Sequence, residues 1–225
     1  MHNPIIVALD LESAEEARVL VARLGDSVSF YKVGLELYAS AGMDFVKELT
    51  GSGKEVFLDL KLYDIGETVK RAVRQISKSG ARFLTIHTPI SVMRAAVEGR
   101  GDSSLQLLGV TVLTNFDQSD LADRGCTAPV ADVVLDRVRK AVATGVDGVV
   151  CSPLEAAAVR QAAGPKAIIV TPGVRSAGAG HGDQKRVATP AEAIRDGANY
   201  LVIGRQITRA ADPAAEARRI LEEIK

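Results

Sequence analysis

Apolar residues along this chain recur in two alternating periods. Short apolar runs near 4–9, 29–33, 55–61, 82–87, 107–113, 147–151, 167–171 and 200–203 read as strands. Between them, apolar residues fall at helical spacing over 35–49, 64–78, 90–98, 131–143, 153–162 and 190–196, and a last stretch, 212–224, closes the chain. Ser13 followed by Glu16 predicts a capping box for a first helix running through Leu24. Eight strands alternating with helices over 225 residues predict a single α/β domain over 1–225, a (β/α)8 TIM barrel. A doubly wound sheet is the alternative, because periodicity alone does not prove closure.

Two segments break the alternation. Gly99–Ser104 reads as a polar turn. Pro172–Gln184, extended as a loop over 173–186, is glycine-rich and too long for an ordinary connector. It is either a plain surface loop or a lid over a ligand, and its place after the seventh strand favours the lid.

The third strand carries the most specific signal. In Val56-Phe57-Leu58-Asp59-Leu60-Lys61-Leu62 the residues Val56, Leu58, Leu60 and Leu62 share one face, and Phe57, Asp59 and Lys61 share the other. In a barrel the second face points inward, where an acid and a base are costly to desolvate unless paired. Asp10 and Lys32 stand at the ends of the first two strands, so four charges, two of each sign, open onto one mouth. At 4 Å and an effective dielectric near 20, one such pair interacts by about 4 kcal/mol. C-terminal strand ends are where barrel enzymes keep their reacting groups. Gly204-Arg205 follows the last strand and suits an anion, and Arg175 and Gln184 on the long loop are placed to close over it. Thr114, at the end of the fifth strand, is placed to hydrogen-bond a ligand. His87 ends the fourth strand with no carboxylate partner by spacing and reads as structural, and Cys151 reads as a small buried residue.

Composition narrows the function classes. Hydrophobic residues are 47% of the chain, which fits a packed core. Lys+Arg and Asp+Glu are both 28, and no basic block interleaved with aromatics occurs, so nothing points to nucleic acid. The start of the chain lacks a basic leader region, and Ile5–Leu9 is far too short to span a membrane, so a cytoplasmic location is expected. Cys126 and Cys151 suggest no disulfide framework, and His2, His87 and His181 are scattered, so no metal site is expected.

Taken together, Asp10, Lys32, the Asp59-x-Lys61-x-x-Asp64 motif, Thr68, Leu113-Thr114, Thr171-Pro172-Gly173-Val174-Arg175, Gly182-Asp183-Gln184 and Ile203-Gly204-Arg205 resemble, in order, the motifs of the orotidine 5′-monophosphate decarboxylases. The resemblance covers essentially the whole chain, and no motif position departs from it. It implies a cofactor-free lyase of pyrimidine synthesis that converts orotidine 5′-monophosphate to UMP and CO2. It further implies a homodimer with shared sites. By that resemblance Lys32, Asp59 and Lys61 act with Asp64 of the partner subunit, and Lys61 stabilises and protonates the pyrimidine C6. Asp10 and Lys32 hold ribose hydroxyls, with Asp64 and Thr68 reaching across. Thr114 reads the pyrimidine edge, Gln184 bridges base and phosphate, Arg175, Gly204 and Arg205 hold the phosphate, and Pro172 lines the site. The rival readings are a magnesium-dependent decarboxylase of 3-keto-L-gulonate 6-phosphate, a hexulose-phosphate synthase, and a non-catalytic nucleotide-binding barrel.

Overall fold

The eight predicted strands all form and close on one another in chain order, which excludes the doubly wound alternative. The computed structural model describes residues 3–177 and 188–224. The strands are β1 (Ile5–Ala8), β2 (Phe30–Gly34), β3 (Glu55–Leu62), β4 (Phe83–His87), β5 (Gln106–Val110), β6 (Gly148–Val150), β7 (Ile168–Pro172) and β8 (Tyr200–Ile203). Every neighbouring pair is parallel, and β8 returns to β1 through Ile5–Leu201, Ile6–Val202 and Val7–Ile203. The helices are α1 (Ala14–Leu24), α2 (Leu35–Gly51), α3 (Gly66–Ile76), α4 (Ile90–Arg100) and α5 (Gln118–Ala122). After them come α6 (Val130–Thr144), α7 (Ala156–Ala163), α8 (Pro190–Arg195), α9 (Arg205–Thr208) and α10 (Pro213–Ile224).

The period-2 pattern divides the core in two. Outward residues such as Val7, Val33, Val56, Leu58, Leu84 and Ile86 pack under the helices. Inward residues Ile6, Phe30, Phe57, Phe83, Leu108, Val170, Tyr200 and Val202 fill the barrel. The inner core is aromatic at the end where the strands begin. Phe30, Phe83 and Tyr200 meet with ring centroids 5.2–5.6 Å apart, in tilted and edge-on arrangements. The Arg82 guanidinium lies 5.1–5.5 Å from all three ring centroids, bonds the Tyr200 hydroxyl at 2.6 Å and pairs with Glu55. It plugs the barrel end opposite the strands' C-terminal mouth. Arg82→Ala is therefore expected to cost about 2 kcal/mol through lost stacking and hydrogen bonds, or roughly 4–8 °C in Tm. Turnover at 25 °C should stay near the parent value. Thermal denaturation and a rate assay check both halves.

Local differences from the sequence expectation have physical causes. Ser13 Oγ accepts the Glu16 N–H at 3.2 Å and caps the start of α1, one arm of the predicted box. α3 begins at Gly66, because Asp64 turns its carboxylate onto the Ile65 N–H at 2.6 Å and Ile65 stays extended. Gly99 lies inside α4, where the sequence suggested a turn. There α3 passes so close that a Cβ would sit 2.3 Å from the Lys70 carbonyl oxygen. β5 ends at Val110, three residues short of expectation. The chain then turns into α5, an unforeseen short helix capped reciprocally by Asp117 and Asp120. Similar reciprocal boxes at Ser152/Glu155 and Thr189/Glu192 open the segments leading into α7 and α8.

Candidate active site

β2 and β3 carry aromatic residues low in the barrel and charges above them. On β2, Phe30 and Lys32 point inward in successive layers, as do Phe57 and Asp59 on β3. Lys32 is only 8% exposed. Its Nζ bonds Asp10 Oδ1 at 2.8 Å and lies 3.7 Å from Asp59 Oδ2. Lys61 Nζ lies 2.9 Å from Asp59 Oδ1. The four charges foreseen from the sequence thus form one continuous chain: Asp10, Lys32, Asp59, Lys61.

Burial alone would push the Asp59 carboxyl up. The charges of Lys32 and Lys61, with hydrogen bonds from Lys61 and Thr85, outweigh it and hold the group below the usual carboxylate value. Asp59 is therefore ionised at neutral pH. Because its value is depressed in the fold, its contribution to stability is present above the unfolded carboxyl value. That contribution is lost only as pH falls through the lower folded one.

Gly34 makes room for this array. A Cβ there would lie 2.9 Å from Lys32 Nζ and 3.2 Å from Asp10 Oδ1, so a side chain would displace the ammonium from its acid.

These residues line a cavity of about 700 Å³ at the C-terminal mouth. Thr114, Pro172, Arg175, Gly204 and Arg205 line the same cavity. Thr114 reaches it from the loop beyond β5 and not from a strand end, as expected from the sequence. Arg175 feels burial first and then the charge of Arg205, and both disfavour its own charge. Two guanidiniums that repel one another beside a cavity are arranged for an anion between them. The Arg175 N–H bonds the Ala188 carbonyl at 3.0 Å, and Val174 bridges Ala188, so this arginine stands where the long loop leaves the barrel. The expectation of a lid over 173–186, including Gln184 and His181, falls mainly on residues outside the described ones.

Asp64 and Thr68 do not reach this cavity; both are exposed at the start of α3. Beside them stand Tyr63, 69% exposed, and Ile65, 77% exposed, an unusual pair to leave in water. His87 lines a second cavity, of about 880 Å³, with Tyr63, Arg124, Cys126 and Arg137. Burial, then the charges of Arg137, Lys61 and Arg124, lower its pKa, so it is a neutral imidazole at pH 7. Among the described residues, no group of three or more His, Cys, Asp or Glu is placed to hold a metal ion. Likewise, no described helix is long and apolar enough to cross a membrane.

Two contributors escaped the sequence reading besides Gly34. Arg209 adds a third guanidinium to the cavity wall. Thr85, fully buried on β4, bonds both Asp59 and the Lys61 backbone. The available signal for Thr85 was a polar residue at an inward position between Phe83 and His87.

A closed parallel barrel with an alternating acid–base chain and convergent arginines at its C-terminal mouth is a (β/α)8-barrel enzyme for an anionic small molecule. The chain belongs to the orotidine 5′-phosphate decarboxylase / HUMPS family, whose sequence model matches residues 3–220. It is 53% identical over 223 residues to the orotidine 5′-phosphate decarboxylase of Rhodopseudomonas palustris strain BisB5, covering 99% of this chain and 95% of that one. It is 52% identical over 224 residues to the enzyme of the same name from Methylorubrum extorquens strain PA1, covering 100% and 96%. The crystal structure of orotidine 5′-phosphate decarboxylase from Lactobacillus acidophilus superposes with a TM-score of 0.88 at 37% identity, over the whole of both chains.

Proposed function

We propose that this protein decarboxylates orotidine 5′-monophosphate to UMP and CO2 without a cofactor, the final step of de novo pyrimidine synthesis. The observation that carries the reading is the Lys32–Asp59–Lys61 array in one cavity with Arg175 and Arg205. Breaking the bond from C6 to the carboxylate leaves an electron pair in an in-plane ring orbital that cannot delocalise into the π system. A positioned ammonium answers that charge directly. Lys61, locked onto Asp59 at 2.9 Å, faces the developing charge, then gives its proton to C6 as CO2 departs. Asp59 lies against the leaving carboxylate, and its negative charge adds repulsion there, offset in part by Lys61. Asp10 and Lys32 hold the ribose hydroxyls, Thr114 reads the pyrimidine edge, and Gln184 spans base and phosphate. Arg175, Gly204 and Arg205 grip the phosphate beside Pro172. Binding energy gathered there is spent on the chemical step.

The protein acts as a homodimer in this reading. Asp64 and Thr68 are exposed and do not line their own cavity, and apolar Tyr63 and Ile65 are exposed on either side of Asp64, which supports their service in the partner's site. Mixing inactive Lys61→Ala chains with inactive Asp64→Asn chains is then expected to restore activity, up to about a quarter of the parent rate in an equimolar mixture. This figure follows because random pairing makes about half of the dimers mixed, and each mixed dimer holds one intact composite site of its two. Verified mixed dimers that recover nothing would assign Asp64 to its own chain.

Incubation with orotidine 5′-monophosphate tests the activity itself. Equal yields of UMP and CO2 over many turnovers are expected. Tight UMP binding with no turnover would make the protein a nucleotide-binding barrel instead.

A further inference from the structure

The third strand is irregular where its chemistry lies. Along the β3–β4 pairing, Leu58 faces Leu84 and Leu62 faces Ile86, so β3 spends four residues where β4 spends two. The extra residues bulge, and Lys61 takes a left-handed backbone with φ +49°, the only described non-glycine residue with positive φ. A bulge takes backbone groups out of the ladder. The Lys61 N–H instead donates to Thr85 Oγ1 at 2.9 Å. The Thr85 hydroxyl, having accepted that bond, gives its single hydrogen to Asp59 Oδ1 at 2.9 Å. Asp59 Oδ1 also takes the Lys61 ammonium at 2.9 Å. A closed ring results, running from the Lys61 backbone through Thr85 and Asp59 to the Lys61 ammonium.

We propose that Thr85 is a positioning residue of the reaction. Its hydroxyl holds the strained bulge of β3 and the Asp59 carboxylate at once, and so sets where the Lys61 ammonium points. The proposal rests on the role given to Lys61 above. Three features favour positioning over mere packing. Thr85 is 0% exposed, so no water takes its place. Both of its hydrogen bonds end on the two residues argued to carry the chemistry. Its inward neighbours on β4 and β3, Phe83 and Phe57, are apolar, so the barrel interior alone does not ask for a hydroxyl there.

Thr85→Val keeps the volume and the β-branch and removes only the hydroxyl. Its kcat is expected to fall about 10- to 100-fold, the scale for a displaced reacting group, with KM and UMP affinity within about threefold of the parent. The acid limb of its pH–kcat profile should move to higher pH, because Asp59 loses a donor to its charged form. Thr85→Ser should bring kcat back to within about threefold of the parent. A purely packing role predicts the reverse order, with Val near the parent and Ser impaired. A parent-like kcat and pH profile in Thr85→Val, with Lys61→Ala dead in the same assay, would overturn the proposal while leaving the role of Lys61 standing. Turnover by Lys61→Ala would instead remove that underlying role. If Thr85→Val does not fold, Thr85→Ala against Thr85→Ser reads the same contrast: equal kcat in the two overturns the proposal, and recovery only in Ser supports it.

Discussion

Lys61→Ala is expected to lose turnover by about 10⁴-fold or more, while UMP still binds within roughly tenfold of the parent affinity. Two effects vanish together: stabilisation of charge at C6, worth about 10²–10³-fold, and general-acid delivery of the proton, worth about 10²–10⁴-fold. Binding is expected to survive because the groups proposed to hold the phosphate and ribose, Arg175, Arg205, Asp10 and Lys32, are side chains of the cavity wall separate from Lys61. The fold survives because Asp59 keeps Lys32 at 3.7 Å and the Thr85 hydroxyl at 2.9 Å, so its buried charge is not abandoned. Single-turnover rates and calorimetric titration with UMP make the check. Parent-like turnover in the variant would remove Lys61 from the chemistry altogether.

Arg205→Ala should lower kcat/KM by about 10²–10³-fold, the cost of taking one member from a desolvated charge pair with the ligand's phosphate. The loss should be specific to that phosphate. With orotidine, which lacks it, parent and variant should differ by less than about threefold. Removing Arg205 also relieves the repulsion that disfavours the charge on Arg175, so some anion affinity remains. An equal loss on both substrates would mean that Arg205 shapes the cavity and does not hold the phosphate.

The barrel was legible because its strands are buried on both faces and punctuated by helices, and alternation on β3 assigned each residue to the right side. The charges at strand ends were legible for the same reason. Asp10, Lys32, Asp59 and Lys61 each follow an apolar run whose direction fixes where they open. What the pattern concealed depends on pairing between strands. The β3 bulge exists only against β4, so neither the left-handed Lys61 nor its bond to Thr85 follows from either strand alone. The space that Gly34 leaves for Lys32 likewise depends on where a neighbouring side chain ends. Thr114 was expected at a strand end and lies four residues beyond it, because strand five yields early to a turn that the Asp117 cap stabilises. Asp64 and Thr68 were singled out by motif, and only their exposure beside Tyr63 and Ile65 gives a physical reason for looking to a second subunit.

The rival readings of the sequence include sugar-phosphate enzymes, so substrate and metal dependence together bear on the central claim. The most direct measurement is the initial rate of orotidine 5′-monophosphate absorbance loss in excess EDTA, with UMP identified as product. The account predicts full turnover, unchanged when magnesium replaces the chelator, because the Lys61 ammonium does the work of an electrophile. No turnover by folded protein until magnesium is restored, or turnover only of a sugar phosphate, would contradict it.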